Sequence, residues 1–351
     1  MNRAGLVALL LPLAVRADPA LHMTVLKPAP ATRPTLALAA TPDGPPLHMT
    51  LLTGSPPSPA AGRYRRRPFR FHYSAGLGYR RDRLDWNIGI PAGPDVLTEE
   101  KWRDLDSLQL AGGAHLVTPV NLTFQARAAY AWVLDGRYQR TDYLENDRTS
   151  PFSQTQARAD HGHLLDLSAG FGYRFQPDGW KVRPWVEPLA GYGYRERTLY
   201  ANDFRQTLAT DGLTPPPGRI PQAEYRYHAH WHGPWVGMGL GIEGERWRLF
   251  GQGEYHFIWY RADGRFKALQ AGSRKVRFEQ DADGDGIVAA LGGSYRIWRT
   301  LSLQLSARFQ RWEVKDGTDK TRIGDGPASK TRFNRSRWRT IGGLLSLSFD
   351  F

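Results

Sequence analysis

The chain contains no cysteine in 351 residues. That excludes a disulfide framework, a thiolate zinc site and a cysteine nucleophile. It also lacks a long apolar run. The longest, Leu6–Val15, is ten residues broken by Pro12, where a helix needs about 20 to cross a bilayer. A helical membrane protein is thereby excluded. The mean hydropathy of −0.51 does not exclude a membrane barrel, because strands that alternate apolar and polar residues average low. Charge is unbalanced, at +13, but it is not gathered on one element. Residues 1–68 hold eight Lys/Arg against two acids, and the remaining basic residues are spread along alternating segments. Nucleic-acid readers cluster basic charge on one face or helix, so nucleic acid is not an expected partner.

The N-terminal segment reads as a delivery signal. Arg3 precedes Leu6–Val15, and Val15 and Ala17 occupy the −3 and −1 positions of a cut after residue 17. Residues 18–68 carry eleven of the 25 prolines and no periodic pattern. They read as a Pro/Ala-rich disordered linker ending in Arg65-Arg66-Arg67. One domain, residues 69–351, follows.

From Phe69 the period is two. Phe69, Phe71, Tyr73, Ala75, Leu77 and Tyr79 alternate with Arg70, His72, Ser74, Gly76, Gly78 and Arg80, the signature of a strand with one apolar face. The pattern recurs over Leu122–Leu134, His163–Phe175, Trp247–Trp259, Leu301–Phe309 and Ile341–Phe351. Tyr, Trp and Phe gather at the ends of the stripes, as in Tyr130 and Trp132, Tyr173 and Phe175, and Tyr255, Phe257 and Trp259. Aromatic girdles mark a lipid-facing band, and the opposite face is too polar for a sandwich core. Short turns at Val117–Asn121, Gln176–Lys181, Glu243–Arg246 and Arg296–Thr300 alternate with long polar stretches near 81–100, 136–160, 203–222, 262–278 and 315–333. The expected fold is a ten-stranded antiparallel transmembrane β-barrel with short periplasmic turns and five long outer loops. Its expected location is the bacterial outer membrane. The apolar alternation ending on Phe351 resembles the signal by which such barrels engage the barrel-assembly machinery.

Several short runs resemble the omptins, a family of outer-membrane endopeptidases and adhesin-like relatives. They are Leu84-Asp85-Trp86-Asn87, Thr118-Pro119, Leu189-Ala190-Gly191-Tyr192, Pro234-Trp235-Val236-Gly237 and Ser294-Tyr295-Arg296. The resemblance covers about residues 69–351. It implies an Asp pair in the second outer loop and an Asp-x-His dyad in the fourth. Asp142 matches one member of the pair, but the position two before it is Arg140. Asp263 begins the fourth loop, and no His follows it. The standard catalytic set is therefore not expected, and the reading leans away from an enzyme. The resemblance also implies a lipopolysaccharide contact on the outward face, with Tyr192, Tyr194, Glu196, His230 and a basic residue such as Lys275 as candidates.

Inward parity gathers Arg127, Asp166, Glu187, Arg248, Glu254, His256 and Arg308, with Arg174 and Arg183. Charges in a narrow lumen need partners, so they read as a network filling the barrel, with a narrow anion-selective path as the alternative. His228, His230 and His232 share the outward face as a polar girdle or, less simply, a metal site. Asp281, Asp283 and Asp285 match half of a calcium loop, but Gly292 stands where the bidentate Glu belongs. Weak Ca²⁺ binding is the alternative to an acidic loop-to-strand junction; no cofactor is otherwise expected. Lys320–Arg339 holds seven Lys/Arg and one acid. The expected function is binding, adhesion or structure at the cell surface, with acidic polymers as fitting ligands. A rearranged endopeptidase and an anion pore are the alternatives.

Overall fold

The computed structural model describes residues 68–177, 179–212, 214–267 and 275–351. The delivery signal and the linker up to residue 67 lie outside the described residues. Eleven strands follow in order: β1 Arg70–Gly89, β2 Thr98–Val117, β3 Leu122–Tyr143, β4 Pro151–Tyr173, β5 Arg183–Ala209, β6 Gly218–Arg219, β7 Glu224–Glu243, β8 Trp247–Lys267, β9 Val276–Arg296, β10 Leu301–Ile323 and β11 Ala328–Asp350. Every pairing is antiparallel, and each long strand pairs with its neighbours in sequence. The β1–β11 and β4–β5 pairings close the sheet into a ring. The sheet thus has one strand more than the expected ten. The addition is two-residue β6, which pairs only with Arg205 and Gln206 of β5 and stands outside the ring.

The expected loops shrink for one reason. Long strands of 20–27 residues exceed the 9–11 that cross a bilayer, and the polar stretches are their upper ends. At the lower end the connections span 118–121, 174–182, 244–246 and 297–300. At the upper end they span only 90–97, 144–150, 210–223, 268–275 and 324–327. Polarity alone suggested loops there. The ladder instead continues, for example through Asp319↔Thr331 and Asp319↔Gln280.

Each wall carries two opposite chemistries along its length. In the lower half the outward face is apolar: Leu77, Leu291, Leu305 and Ile341 are each 58–68% exposed. A continuous apolar belt of that size needs a lipid surface. In the upper half the apolar side chains turn inward. Leu84, Trp86, Trp102, Tyr138, Tyr225, Tyr227, Trp231, Tyr260, Phe278, Phe333 and Trp338 form one buried cluster. Trp102 packs on Tyr138 and Tyr225 at 4.8 and 5.6 Å, and Trp231 packs on Tyr260 at 5.1 Å. Burial of each such ring stabilises by about 1.5–3 kcal/mol. The upper barrel is therefore built as a water-soluble protein is, with its own core.

Candidate functional site

The lower lumen is a stack of charged tiers. Nearest the short turns, Glu187 receives Arg174 at 2.9 Å and meets the His115 ring at 2.8 Å, while Glu243 lies 3.5–3.7 Å from Arg174 and Arg248. Above it, Arg127 binds Glu254, which meets His256 at 2.8 Å. At the top of the stack, Asp166 lies 2.8 Å from Arg80, 2.6 Å from Arg197 and 3.6 Å from Arg195. Arg80 also forks onto Asp82. Arg195 and Arg197 lie 5.1 and 5.0 Å from the Trp312 and Trp338 rings, where stacking supplements the ion pairs. Arg308 belongs to this stack but has no hydrogen bond or ion pair among the described residues.

A second polar cluster sits at the upper mouth, above the aromatic core. Asp142 accepts from Thr98 at 2.7 Å and from Arg140 at 3.0 Å. Glu100 is buried and accepts from the Tyr225 hydroxyl at 2.8 Å. Burial raises its carboxyl to about 7, against the pull of Arg140. A chain of bonds joins Tyr227 to Tyr260 at 2.7 Å, Tyr260 to Gln280 at 2.9 Å and Gln280 to Asp319 at 3.1 Å. Burial also raises the Asp319 carboxyl. Neither Glu100 nor Asp319 was singled out in the sequence, because both lie in stretches that read as loops.

Asp142 and Asp263 do not converge. Asp142 points inward with Thr98, whereas Asp263 lies on the outward face of β8, hydrogen-bonded to His228 at 3.0 Å. Glu196 approaches the other ring nitrogen of His228 at 3.5 Å. The hydrogen bond to Asp263 raises the His228 pKa. The outward histidine row therefore has carboxylate partners that cross-strand pairing supplies and sequence spacing conceals. Tyr194 donates to Glu196 at 2.8 Å and stacks on His230, and Tyr192 bonds His232 at 2.7 Å. Lys275 is not with them. Its carbonyl receives Gly324 at the far end of β9, while His230 pairs in register with Arg261, which is the basic residue of that row.

Asp281, Asp283 and Asp285 lie within β9, not in a loop, and successive same-face residues of a strand stand about 7 Å apart. Asp281 is taken by Arg261 at 3.0 Å. Among the described residues no group of three acid or His ligands could hold a metal.

Two basic features mark the upper outer wall. Arg83, Arg339 and Arg311 face one another in a single cross-strand row on β1, β11 and β10, directly above the apolar Ile341 and Phe309. Higher up, a groove of about 980 Å³ is lined by Arg226, Arg261, Arg265, Arg277, Lys320, Arg322 and Lys330 and also by Asp263, Glu279 and Asp281.

Known proteins fix what kind of barrel this is. Outer membrane protease OmpT from Escherichia coli superposes with a TM-score of 0.69 at 11% identity, covering 82% of this chain and all of that one. The translocator domain of autotransporter NalP from Neisseria meningitidis is more distant, with a TM-score of 0.34 at 13% identity over 81% of this chain and 89% of that one. OprG from Pseudomonas aeruginosa matches at 0.30 and 8% identity, over 82% and 98%. No curated protein sequence matches. At such identity the OmpT likeness establishes a fold and leaves activity open. Residues 74–351 match the family described as Protochlamydia outer membrane protein, Pom, so the chain belongs to that family and is an outer-membrane β-barrel.

Proposed function

We propose that this barrel is a cell-surface binding protein whose ligand is an acidic polymer. The groove lined by Arg226, Arg265, Arg277, Lys320, Arg322 and Lys330 carries the reading. It lies on the upper wall, clear of the lipid belt, and seven Lys/Arg line it against three acids. Such a surface recognises sulfate or carboxylate groups by charge-assisted hydrogen bonds. Outer-leaflet lipid and lipopolysaccharide are proposed partners lower down, with Arg83, Arg339 and Arg311 on one side of the ring and Tyr194, Glu196 and His230 on the other as the contact groups. The aromatic fill of the upper half weighs against the pore reading. The test is retention of the refolded barrel on immobilised heparin, beside Arg277→Gln/Lys320→Gln/Arg322→Gln. The triple variant should elute at clearly lower salt. Equal elution, or equal retention on uncharged dextran, would sink the proposal.

A rearranged endopeptidase is the second reading, favoured by Asp142 and by the Glu100 carboxyl held at about 7 in the same mouth, a value suited to general acid–base work. Peptide cleavage with lipopolysaccharide present, lost in Asp142→Asn and in Glu100→Gln but kept in Asp263→Asn, would establish it. No cleavage across dibasic and acidic peptides would remove it.

A further inference from the structure

Charge does not balance inside the membrane-level lumen. The two upper tiers hold Arg80, Arg127, Arg195, Arg197 and Arg308 against Asp82, Asp166 and Glu254. Two positive charges are left without an internal partner. The tier beneath gives no relief, since Arg174 and Arg248 already face Glu187 and Glu243. Above, Trp312 and Trp338 separate these tiers from the carboxylates of the mouth. An unpaired charge out of water costs several kcal/mol even after the site relaxes, and lipid surrounds this part of the wall.

The imbalance has an address. Arg308 is the guanidinium with no ion pair or hydrogen bond among the described residues, and its charged neighbours are Arg127 and Arg195 on one side of the ledger of signs, Glu254 and Asp166 on the other. It faces a cavity of about 170 Å³ that Arg80, Arg127, Arg195, Gln304 and Ser306 also line. Because a water takes about 30 Å³ of liquid, the space admits a small ion with its remaining hydration. The cavity continues downward. A chamber of about 130 Å³ shares Arg127, Gln252 and Gln304 with it and shares His115, Arg174 and Arg248 with a third, of about 220 Å³, at the short-turn mouth. An ion entering from the periplasmic side meets arginine at each stage and ends beneath the tryptophans.

We infer that this blind cavity is a binding site for a small inorganic anion, of halide or sulfate size, held by Arg308 and Arg127. The anion completes the charge of the barrel core and is not conducted through it. Guanidinium groups bind such ions through paired N–H donors, and Gln304 and Ser306 supply further donors.

The test uses the refolded full-length barrel at fixed ionic strength. Crystals grown in bromide should show anomalous density beside the Arg308 guanidinium. The unfolding midpoint should rise when gluconate is replaced by bromide or by sulfate. Arg308→Gln should lose both effects. Gln304→Glu, which places a carboxylate in the same cavity, should fold and should lose the anion dependence as well, so the proposal stays testable if Arg308→Gln does not fold. Absence of density at Arg308 overturns the proposal, as does a midpoint shift that survives in Gln304→Glu.

Discussion

Asp166→Asn should be among the most damaging isosteric changes in this protein. The side chain keeps its shape and loses one negative charge. Arg80, Arg195 and Arg197 all lean on that charge, at 2.8, 3.6 and 2.6 Å, and all three are buried. After substitution Arg80 and Arg197 have only Asp82 nearby and Arg195 only Glu254. Removing one partner of a buried ion pair costs about 3–5 kcal/mol, because the remaining charge stays desolvated. The comparison is Asp106→Asn, which breaks the Arg81 pair at 2.6 Å on the outer wall. That pair stands in solvent and contributes little. Both variants would be refolded in lipid vesicles and unfolded in urea, with free energies taken by linear extrapolation. A second substitution, Arg195→Gln, removes one stranded charge and should recover part of the Asp166→Asn loss, a coupling that a double-mutant cycle measures. A loss below about 1 kcal/mol in Asp166→Asn, no larger than that of Asp106→Asn, would refute the reasoning that this tier is a tightly coupled buried network.

Three further outcomes are expected. Glu100 is held at about 7 against an ordinary 4.5, so the native state keeps a proton that the unfolded chain releases. Stability should therefore fall by an amount of the order of 3 kcal/mol as pH rises from about 4.5 to 7, and Glu100→Gln should flatten that slope and stabilise the barrel at pH 8. His228 gains its raised pKa from Asp263 first; its contribution is present below its unfolded pKa and lost as pH rises through the folded one, so NMR titration of Asp263→Asn should show the His228 midpoint moving down. A Cβ on Gly264 would fall 2.0 Å from the Phe278 ring, so Gly264→Val should cost about 1–3 kcal/mol in urea unfolding, whereas Gly253→Val, with open space around its Cβ, should cost less.

The lower barrel was legible because lipid imposes one rule on every strand. Tyr73, Ala75 and Leu77 must all face outward, and period two follows directly. The upper barrel was not legible by that rule, because the apolar phase reverses. In β1 it passes from Leu77 and Tyr79 to Leu84, Trp86 and Ile88, and in β8 from Phe257 and Trp259 to Ile258, Tyr260 and Ala262. Read in the original phase, these segments look irregular and polar, hence loop-like. The orientation of Asp263 was nevertheless available, since Tyr255, Phe257 and Trp259 carry its parity outward. The meeting of His228 with Glu196 and Asp263 was not, because register between strands is set by the whole ladder. The same holds for the Glu100–Tyr225 bond, which joins strands far apart in the chain.

The reversal of the apolar phase makes the wall behave like a text in a fixed reading frame. Below the switch the words are written for lipid, above it for water, and in β1 and β8 the same backbone parity decodes both. Losing one residue near Asp82 would leave the lower passage of β1 intact. It would also turn Leu84, Trp86 and Ile88 out to solvent and bring Arg83 and Asp85 into the core. The β-bulges at Asp82/Leu84 and Lys315/Thr318 each carry one extra residue, in β2 and in β10, and there the frame of those strands steps by one. Insertions are tolerable at the hairpin tips, where no sentence continues, and costly anywhere along the strands between them.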